Sequence, residues 1–189
     1  MGFGWKELKS PTRRKPRPEG GFLQGTQLAT ADGWRPVETI RPGDMVLTFD
    51  HGLQPVVQTL RVTAWDTETL NPRDAMPILV PVGALGNRAP LSLLPKQPVL
   101  VESDAAEVLQ GDPFALVSAR ALDGWRGIRK SVSPPRGIKA VLRFAGDEIV
   151  YANGSALMHC PAIDGANGPR YNVLHHAEAR KVVDGALKG

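Results

Sequence analysis

The chain has 189 residues, of which 42% are hydrophobic, and these values suit one globular domain with a single core. Its 20 glycines and 17 prolines are spread along the sequence, which indicates turns between short strands rather than a disordered chain. The single cysteine, Cys160, excludes an intramolecular disulfide framework. No apolar run reaches the roughly 18 residues of a membrane span, so we expect a soluble protein.

The net charge of +4 is located in the first 19 residues of the sequence. This segment has six basic and two acidic side chains, whereas the remaining residues carry 17 of each. We predict that residues 1–19 form a flexible, proline-containing basic arm. Weak binding of polyanions by its charges between Lys6 and Arg17 is left open, and such binding would fall steeply with salt. The arm lacks the apolar stretch of a secretory signal, so we expect a cytoplasmic chain, with signal-independent secretion left open.

From residue 22 onward the sequence shows short β-like runs that end at turn signals. The runs cover residues 26–30, 35–40, 45–49, 54–65, 77–82, 99–101, 139–144 and 148–152. Asp32-Gly33 predicts a hairpin turn, and Asn153-Gly154 closes the last run. Short helices are predicted over residues 114–122 and 172–183, and Gly185 is expected to stop the second one. This pattern favours a mostly β domain with one or two short peripheral helices.

One window of the sequence carries a dense set of motif residues. They are Gly25-Thr26, Thr30, Gly33, Pro36-Val37-Glu38 and Gly43-Asp44. This window resembles the opening of bacterial Hint (Hedgehog/intein) domains, which reads Cys-Phe-x-x-Gly-Thr, a strand ending in Thr, a turn Gly, Pro-Val-Glu and Gly-Asp. Segments 50–56, 94–100 and 144–154 are also similar to the family. The resemblance implies a compact horseshoe or pseudo-barrel β fold, to which we assign residues 20–170, and the helix predicted from composition lies in a C-terminal segment at 171–189.

The family resemblance also implies self-processing by an acyl shift, in cleavage or splicing. A thiol on the first residue attacks the carbonyl before it, and a histidine protonates or polarises the departing amide nitrogen. The matching positions here are Gly21 and Gln97, and a later histidine of the family corresponds to Asp147. Glycine has no nucleophile, and glutamine does not titrate. We therefore predict a degenerate domain kept as a binding or structural module, with a protein partner left open. The alternative is an active domain that cleaves near Gly20-Gly21 by a non-standard mechanism.

Four polar residues of the motif window are candidates for pocket or scaffold roles. Thr26 and Thr30 carry hydroxyls, but neither adjoins the Gly20 carbonyl, as the nucleophile must. Asp44 can bind local backbone amides, and Glu38 can support a loop. We expect turn construction from all four.

The remaining histidines and the cysteine give no clear chemical site in the sequence. His159-Cys160 is followed by Pro161, and we interpret Cys160 as a structural residue, although a cysteine beside a histidine can be reactive. His175 and His176 are neighbours in the predicted helix and do not share a face, so they do not predict a metal site. No zinc-like spacing and no phosphate-binding glycine loop occurs, and we expect neither a metal nor a cofactor.

Overall fold

The structure is a computed structural model that describes residues 20–65, 75–163 and 171–185, so the predicted arm lies outside the described residues. The described part consists mainly of short strands. They are β1 (Phe22–Leu23), β2 (Gln27–Thr30), β3 (Gly33–Pro36), β4 (Met45–Thr48), β5 (Gly52–Pro55), β6 (Gln58–Thr63), β7 (Ile78–Val80), β8 (Leu91–Leu93), β9 (Pro98–Glu102), β10 (Phe114–Ser118), β11 (Arg129–Lys130), β12 (Ile138–Arg143), β13 (Glu148–Ala152) and β14 (Ala156–Cys160). The helices are α1 (Asp104–Gln110) and α2 (His176–Gly185), with 3-10 turns at Val37–Thr39 and Ala119–Leu122.

The strands form two antiparallel sheets around one main core. The first sheet has the order β11-β7-β8-β1-β12-β6. The second has the order β10-β9-β14-β13-β2-β4-β5, with β3 paired to β2. Fully buried side chains fill the space that the strands and the 3-10 turns enclose, and the largest include Leu28, Ile40, Ile78, Leu122, Phe144 and Met158. The prediction of a mostly β domain with one or two short helices is therefore confirmed.

The two glycine-containing turns that the sequence singled out are present. Thr30 pairs with Gly33 across a two-residue turn, so β2 and β3 form the predicted hairpin. Gly33 has a φ of +95°, which a residue without Cβ adopts readily. Asn153 and Gly154 connect β13 to β14, both with positive φ. The Asn153 side chain accepts the Gln27 N–H at 2.7 Å, which fixes this turn to the start of β2.

The helix predicted over residues 114–122 is wrong. This segment forms β10 and the 3-10 turn Ala119–Leu122 instead. All five residues of β10 pair with β9, from Phe114 opposite Glu102 to Ser118 opposite Pro98. Sheet pairing and burial of the apolar residues 115–117 outweigh the helix propensity of alanine and leucine. The helix of this region is α1, just before β10, which begins after a capping Ser103 hydroxyl and ends at the left-handed Gly111.

The long strand predicted over residues 54–65 is divided between the two sheets. β5 ends at Pro55, and β6 begins at Gln58 in the other sheet. Between them the Val56 N–H donates to the Asp44 carbonyl, and the Val57 N–H donates to the Arg143 carbonyl. Val56 and Val57 therefore form the connection between the two sheets.

Helix α2 begins later than predicted and packs on the main core. It starts at His176 rather than residue 172, and it extends through Gly185, beyond the predicted end at residue 183. Ala179, Val182 and Val183 are buried in the core. None of the helices in residues 20–65, 75–163 and 171–185 has the length and apolar character needed to span a bilayer.

Candidate functional site

Gly21 is buried and lies immediately before β1. It is the position where the family resemblance implies a nucleophile. Its φ of +126° is a backbone conformation that side-chain-bearing residues rarely adopt. A Cβ atom at this position would lie 2.9 Å from the Ala140 carbonyl oxygen and 3.0 Å from a methyl carbon of Val141. The backbone conformation and the close packing at this position therefore favour glycine. Residue 21 has no side chain that could reach the Gly20 carbonyl.

Gln97 connects Gly21 to strand β14 through its side-chain amide, which also bonds the carbonyl of the next residue, Pro98. Its Oε1 accepts the Gly21 N–H at 2.8 Å. Its Nε2 donates to the carbonyl oxygens of Pro98 at 3.1 Å and His159 at 2.9 Å. The side chain is only 1% exposed. Because an amide has one acceptor end and one donor end, this set of partners fixes its orientation. Gln97 lies after β8 and before β9, so the bonds connect both sheets.

Asp147 lies beside His159 rather than beside Gly21. Asp147 Oδ1 accepts the Ala162 N–H at 2.8 Å. Its Oδ2 is 3.5 Å from His159 Nε2, which is longer than a good hydrogen bond. The edge of the Tyr171 ring packs on the His159 imidazole with 5.9 Å between ring centroids. Burial lowers the pKa of His159, and the nearby Asp147 carboxylate opposes that effect.

Cys160 is a buried thiol next to carboxylates. It is 1% exposed and follows His159 at the end of β14. Burial raises the pKa of its thiol, and the negative charges of Glu148 and Asp147 raise that pKa further. The thiol form is therefore favoured over the nucleophilic thiolate, as expected for a structural cysteine. Glu148 in turn holds the His51 Nδ1 at 2.9 Å.

The hydroxyls of Thr26 and Thr30 close turns of the chain. Thr26 Oγ1 donates to the Leu23 carbonyl at 2.7 Å. Thr30 Oγ1 donates to the Gly33 carbonyl at 2.7 Å. Each hydroxyl is therefore already hydrogen-bonded within three residues of its own position, and neither threonine lines the cavity beside Gly21.

The carboxylates of Glu38 and Asp44 hold two further loops. Glu38 Oε2 accepts the Gly25 N–H at 2.9 Å. Asp44 Oδ2 accepts the Arg41 N–H at 2.8 Å and lies 3.1 Å from an Arg35 guanidinium nitrogen. The bonds of both carboxylates are local to the motif window, so these residues support the scaffold and do not reach the Gly21 amide.

A cavity of about 300 Å³ lies beside the Gly20–Gly21 peptide. It is lined by residues from both sheets, namely Gly20, Gly21, Phe22, Lys96, Gln97, Pro98, Val141, Leu142, Arg143, His159, Cys160 and Pro161. The family motifs pointed to Gly21 and Gln97 but not to Arg143, which lies one residue before the matching segment 144–154.

His175 and His176 are exposed and lie outside this cavity. Within residues 20–65, 75–163 and 171–185, no three His, Cys, Asp or Glu side chains are grouped to hold a metal ion.

Comparison with known proteins settles the family. The model of the Hint domain matches residues 20–157 of this chain, which is most of its length. The chain belongs to the Hint domain family. No curated protein matches the sequence.

Solved structures of intein domains are similar to this chain. A bacterial intein-like domain from Clostridium thermocellum superposes with a TM-score of 0.52 at 14% identity, over 74% of this chain and 98% of that domain. The gp41-1 intein has a TM-score of 0.46 at 14% identity, over 74% of this chain and 98% of the intein. At this level of identity the first likeness establishes the fold of the Hint domain and nothing about its activity.

The first prediction concerns the backbone of Gly21 in this Hint domain. Gly21→Ala should lower the free energy of unfolding by about 1–3 kcal/mol, because the new methyl group meets the Ala140 carbonyl in addition to the φ strain. Gly33→Ala is the matched control, since Gly33 also has positive φ but has no atom within 4 Å of the added carbon. Chemical denaturation of both variants measures the difference. Equal losses in the two variants would contradict the close packing described here.

The second prediction concerns the buried imidazole of His159 and pH. Because its pKa is lowered on folding, the unfolded chain takes up a proton there at a higher pH than the folded chain does. Stability should therefore fall as pH drops below about 6.5, with a slope from this residue of at most about 1.4 kcal/mol per pH unit. His159→Gln should reduce that slope in denaturation curves between about pH 7.5 and 5.5.

The matched control for this pH dependence is His176→Gln, at the exposed first residue of α2. This variant should keep the slope of the wild type. A slope that is unchanged in His159→Gln, or that is lost in His176→Gln, would contradict the assignment to the buried imidazole.

Proposed function

We propose that this Hint domain does not cleave itself and serves as a binding or structural module. The observation that carries the proposal is the hydrogen bond from the Gly21 N–H to Gln97 Oε1, at 2.8 Å. An acyl shift at Gly20–Gly21 needs a group that gives a proton to the Gly21 nitrogen as it departs. Gln97 instead presents an acceptor oxygen to that N–H, and a glutamine side chain has no proton to transfer near neutral pH.

The side chains near the scissile position also lack a suitable nucleophile. The attacking group must close a small ring with the Gly20 carbonyl, and Gly21 has no side chain to do so. The hydroxyls of Thr26 and Thr30 are committed to turn carbonyls. Cys160 lines the same cavity, but burial and neighbouring carboxylates keep its thiol protonated.

The retained parts of the site support a binding or structural role. The Gln97 amide, the turn hydroxyls and the loop carboxylates keep the polar groups of the scaffold satisfied. The cavity beside Gly21 persists, with a volume at the lower end of the range for small-molecule sites. A fold that keeps its pocket and loses its reacting groups is suited to binding without chemistry.

Intact-mass spectrometry of the purified full-length chain tests this proposal. The chain should keep a single mass of 20.4 kDa during prolonged incubation with excess dithiothreitol or hydroxylamine. Dithiothreitol exchanges with thioesters, and hydroxylamine cleaves both thioesters and esters, so together they draw off any product of a reversible acyl shift. The expected result is no fragment at any time point.

A pair of fragments cut between Gly20 and Gly21 would contradict the proposal. In that case Cys160→Ala and His159→Ala should be compared with the wild type, since these are the buried thiol and imidazole that line the cavity. The variant that stops cleavage would then identify the group that replaces the missing nucleophile or acid.

A further inference from the structure

Two surface segments carry the most exposed apolar side chains of the described residues. Val132, Val108, Val82 and Leu109 are 95%, 86%, 59% and 53% exposed, which are the four highest values among the large apolar residues. Val132 and Val82 lie close to β11, whereas Val108 and Leu109 belong to α1. Apolar side chains that are this exposed gain free energy when a partner covers them.

The segment around β11 is strongly basic. From residue 124 to residue 146 the sequence has six Lys and Arg residues and no Asp or Glu. No described ion pair includes any of the four that are exposed. These four cations, together with the two valines beside them, are termed the basic face, which consists of Arg126, Arg129, Lys130, Arg136, Val82 and Val132.

The basic face follows the edge of the first sheet. β11 is the outermost strand of that sheet, and it pairs with β7 through Arg129 and Lys130. Arg126 Nη1 donates to the Ala84 carbonyl at 3.4 Å, which places this cation beside the loop of Val82. Beyond the other end of β11, Ser131 Oγ accepts the Ser133 N–H at 3.1 Å and so holds the turn that exposes Val132.

The outer edge of β11 is closed to the addition of another strand. The Lys130 N–H, which would pair with an added strand, already donates to Asp123 Oδ1 at 2.9 Å. The Ser131 N–H donates to the Pro77 carbonyl on the inner side. A partner therefore meets this face through its charged and apolar side chains rather than through backbone pairing.

Helix α1 and its flanking residues form a surface of the opposite charge. From residue 102 to residue 119 the sequence has four Asp and Glu residues and no Lys or Arg. All four are exposed, and no described ion pair includes them. They and the two exposed apolar residues of the helix are termed the acidic face, which consists of Glu102, Asp104, Glu107, Asp112, Val108 and Leu109.

We propose that the acidic face of one copy of this chain docks on the basic face of a second copy. Four negative charges then lie against four positive charges, and the four most exposed apolar side chains are covered in the same contact. The contact is between two different faces, so it is heterologous. This proposal goes beyond the proposed function, since neither face contains a residue of the Gly21 site.

A second copy fits the two faces better than the basic arm predicted over residues 1–19. The arm has the charge to occupy the acidic face, but it would leave the four cations of the basic face and Val132 uncovered. Each copy of the chain carries both faces, so the same partner supplies the complement of each.

Sedimentation velocity of the full-length chain tests the proposal over about 1 μM to 1 mM protein. At about 0.1 M NaCl the average mass should rise from the 20.4 kDa of one chain to at least twice that value. At about 1 M NaCl the association should be at least about fivefold weaker, because the Debye length falls from about 10 Å to about 3 Å.

Two neutralising variants locate the faces. Arg129→Gln/Lys130→Gln and Glu102→Gln/Glu107→Gln should each weaken self-association about tenfold, because each removes half of the charge of one face. None of these four side chains has a described hydrogen bond, so the fold should be kept. The matched controls are Arg41→Glu and Asp32→Lys, which change the net charge by the same amount at exposed residues outside both faces. Both controls should associate as the wild type does.

An equimolar mixture of the two neutralising variants should recover association of at least half of the wild-type strength. The Arg129→Gln/Lys130→Gln chain keeps its acidic face, and the Glu102→Gln/Glu107→Gln chain keeps its basic face, so the mixture contains one complete contact. Val108→Ser and Val132→Ser should each weaken association about fivefold with an unchanged melting temperature, because both side chains are exposed in the single chain.

Four results would overturn the proposal. They are a single chain at every concentration, an equal loss in the charge-matched controls, a mixture that associates no better than its components, and a loss confined to one face. A loss in Glu102→Gln/Glu107→Gln alone would assign the acidic face to the basic arm, and a loss in Arg129→Gln/Lys130→Gln alone would assign the basic face to a different acidic segment. Cleavage at Gly20–Gly21 would overturn the proposed function and leave this test unaffected.

Discussion

The side-chain amide of Gln97 is the interaction on which the arrangement of this site depends. It is buried, it accepts one backbone N–H and it donates to two backbone carbonyls from different strands. Loss of the amide would leave the Gly21 N–H and the His159 carbonyl without partners in the interior, at a cost of about 1–3 kcal/mol for each buried group. The bond to Gly21 fixes the start of β1, and the bond to His159 fixes the end of β14. The two sheets are thereby tied at the point where the family resemblance implies a reacting peptide.

The backbone beside this network is shaped around glycine. Glycine at position 21 is required by the backbone conformation and by the nearby Ala140 carbonyl, in addition to being the residue that lacks a nucleophile. The chain has thus adapted its packing to a residue without a side chain. The turn hydroxyls and loop carboxylates of the motif window are hydrogen-bonded to nearby backbone groups, so they hold the loops around this site.

Much of the fold could be predicted from local signals in the sequence. The turn at Asp32-Gly33 and the strands before and after Asp147 depend on glycine, asparagine and alternating apolar residues, which act over a few positions. The helix predicted at residues 114–122 was wrong because its outcome depends on pairing with β9, which local propensity does not contain. Helix α1 was not predicted, although Ser103 and Gly111 mark its ends, because seven residues give too short a pattern to distinguish a helix from a loop.

The candidate site was predictable only where a motif marks it. The resemblance pointed to Gly21, Gln97 and Asp147, and the first two are joined by a hydrogen bond while Asp147 lies beside His159. Arg143 had no signal in the sequence, because its bonds to the carbonyls of Ala162 and Ile163 form only when the end of β12 meets that segment in the folded chain. A sequence pattern gives the residue types along the chain, whereas bonds of this kind arise from the assembled structure.

Hydrogen exchange at the Gly21 amide tests the central claim most directly, with Gln97→Met as the variant and the buried Val56 amide as an internal reference. The Val56 N–H donates to the Asp44 carbonyl at 2.9 Å and makes no bond to Gln97, so its exchange should not depend directly on the Gln97 amide. The account predicts strong protection of Gly21 in the wild type and, in Gln97→Met, exchange at least about tenfold faster relative to Val56. Fast exchange at Gly21 in the wild type, or an unchanged ratio to Val56 in Gln97→Met, would contradict the account.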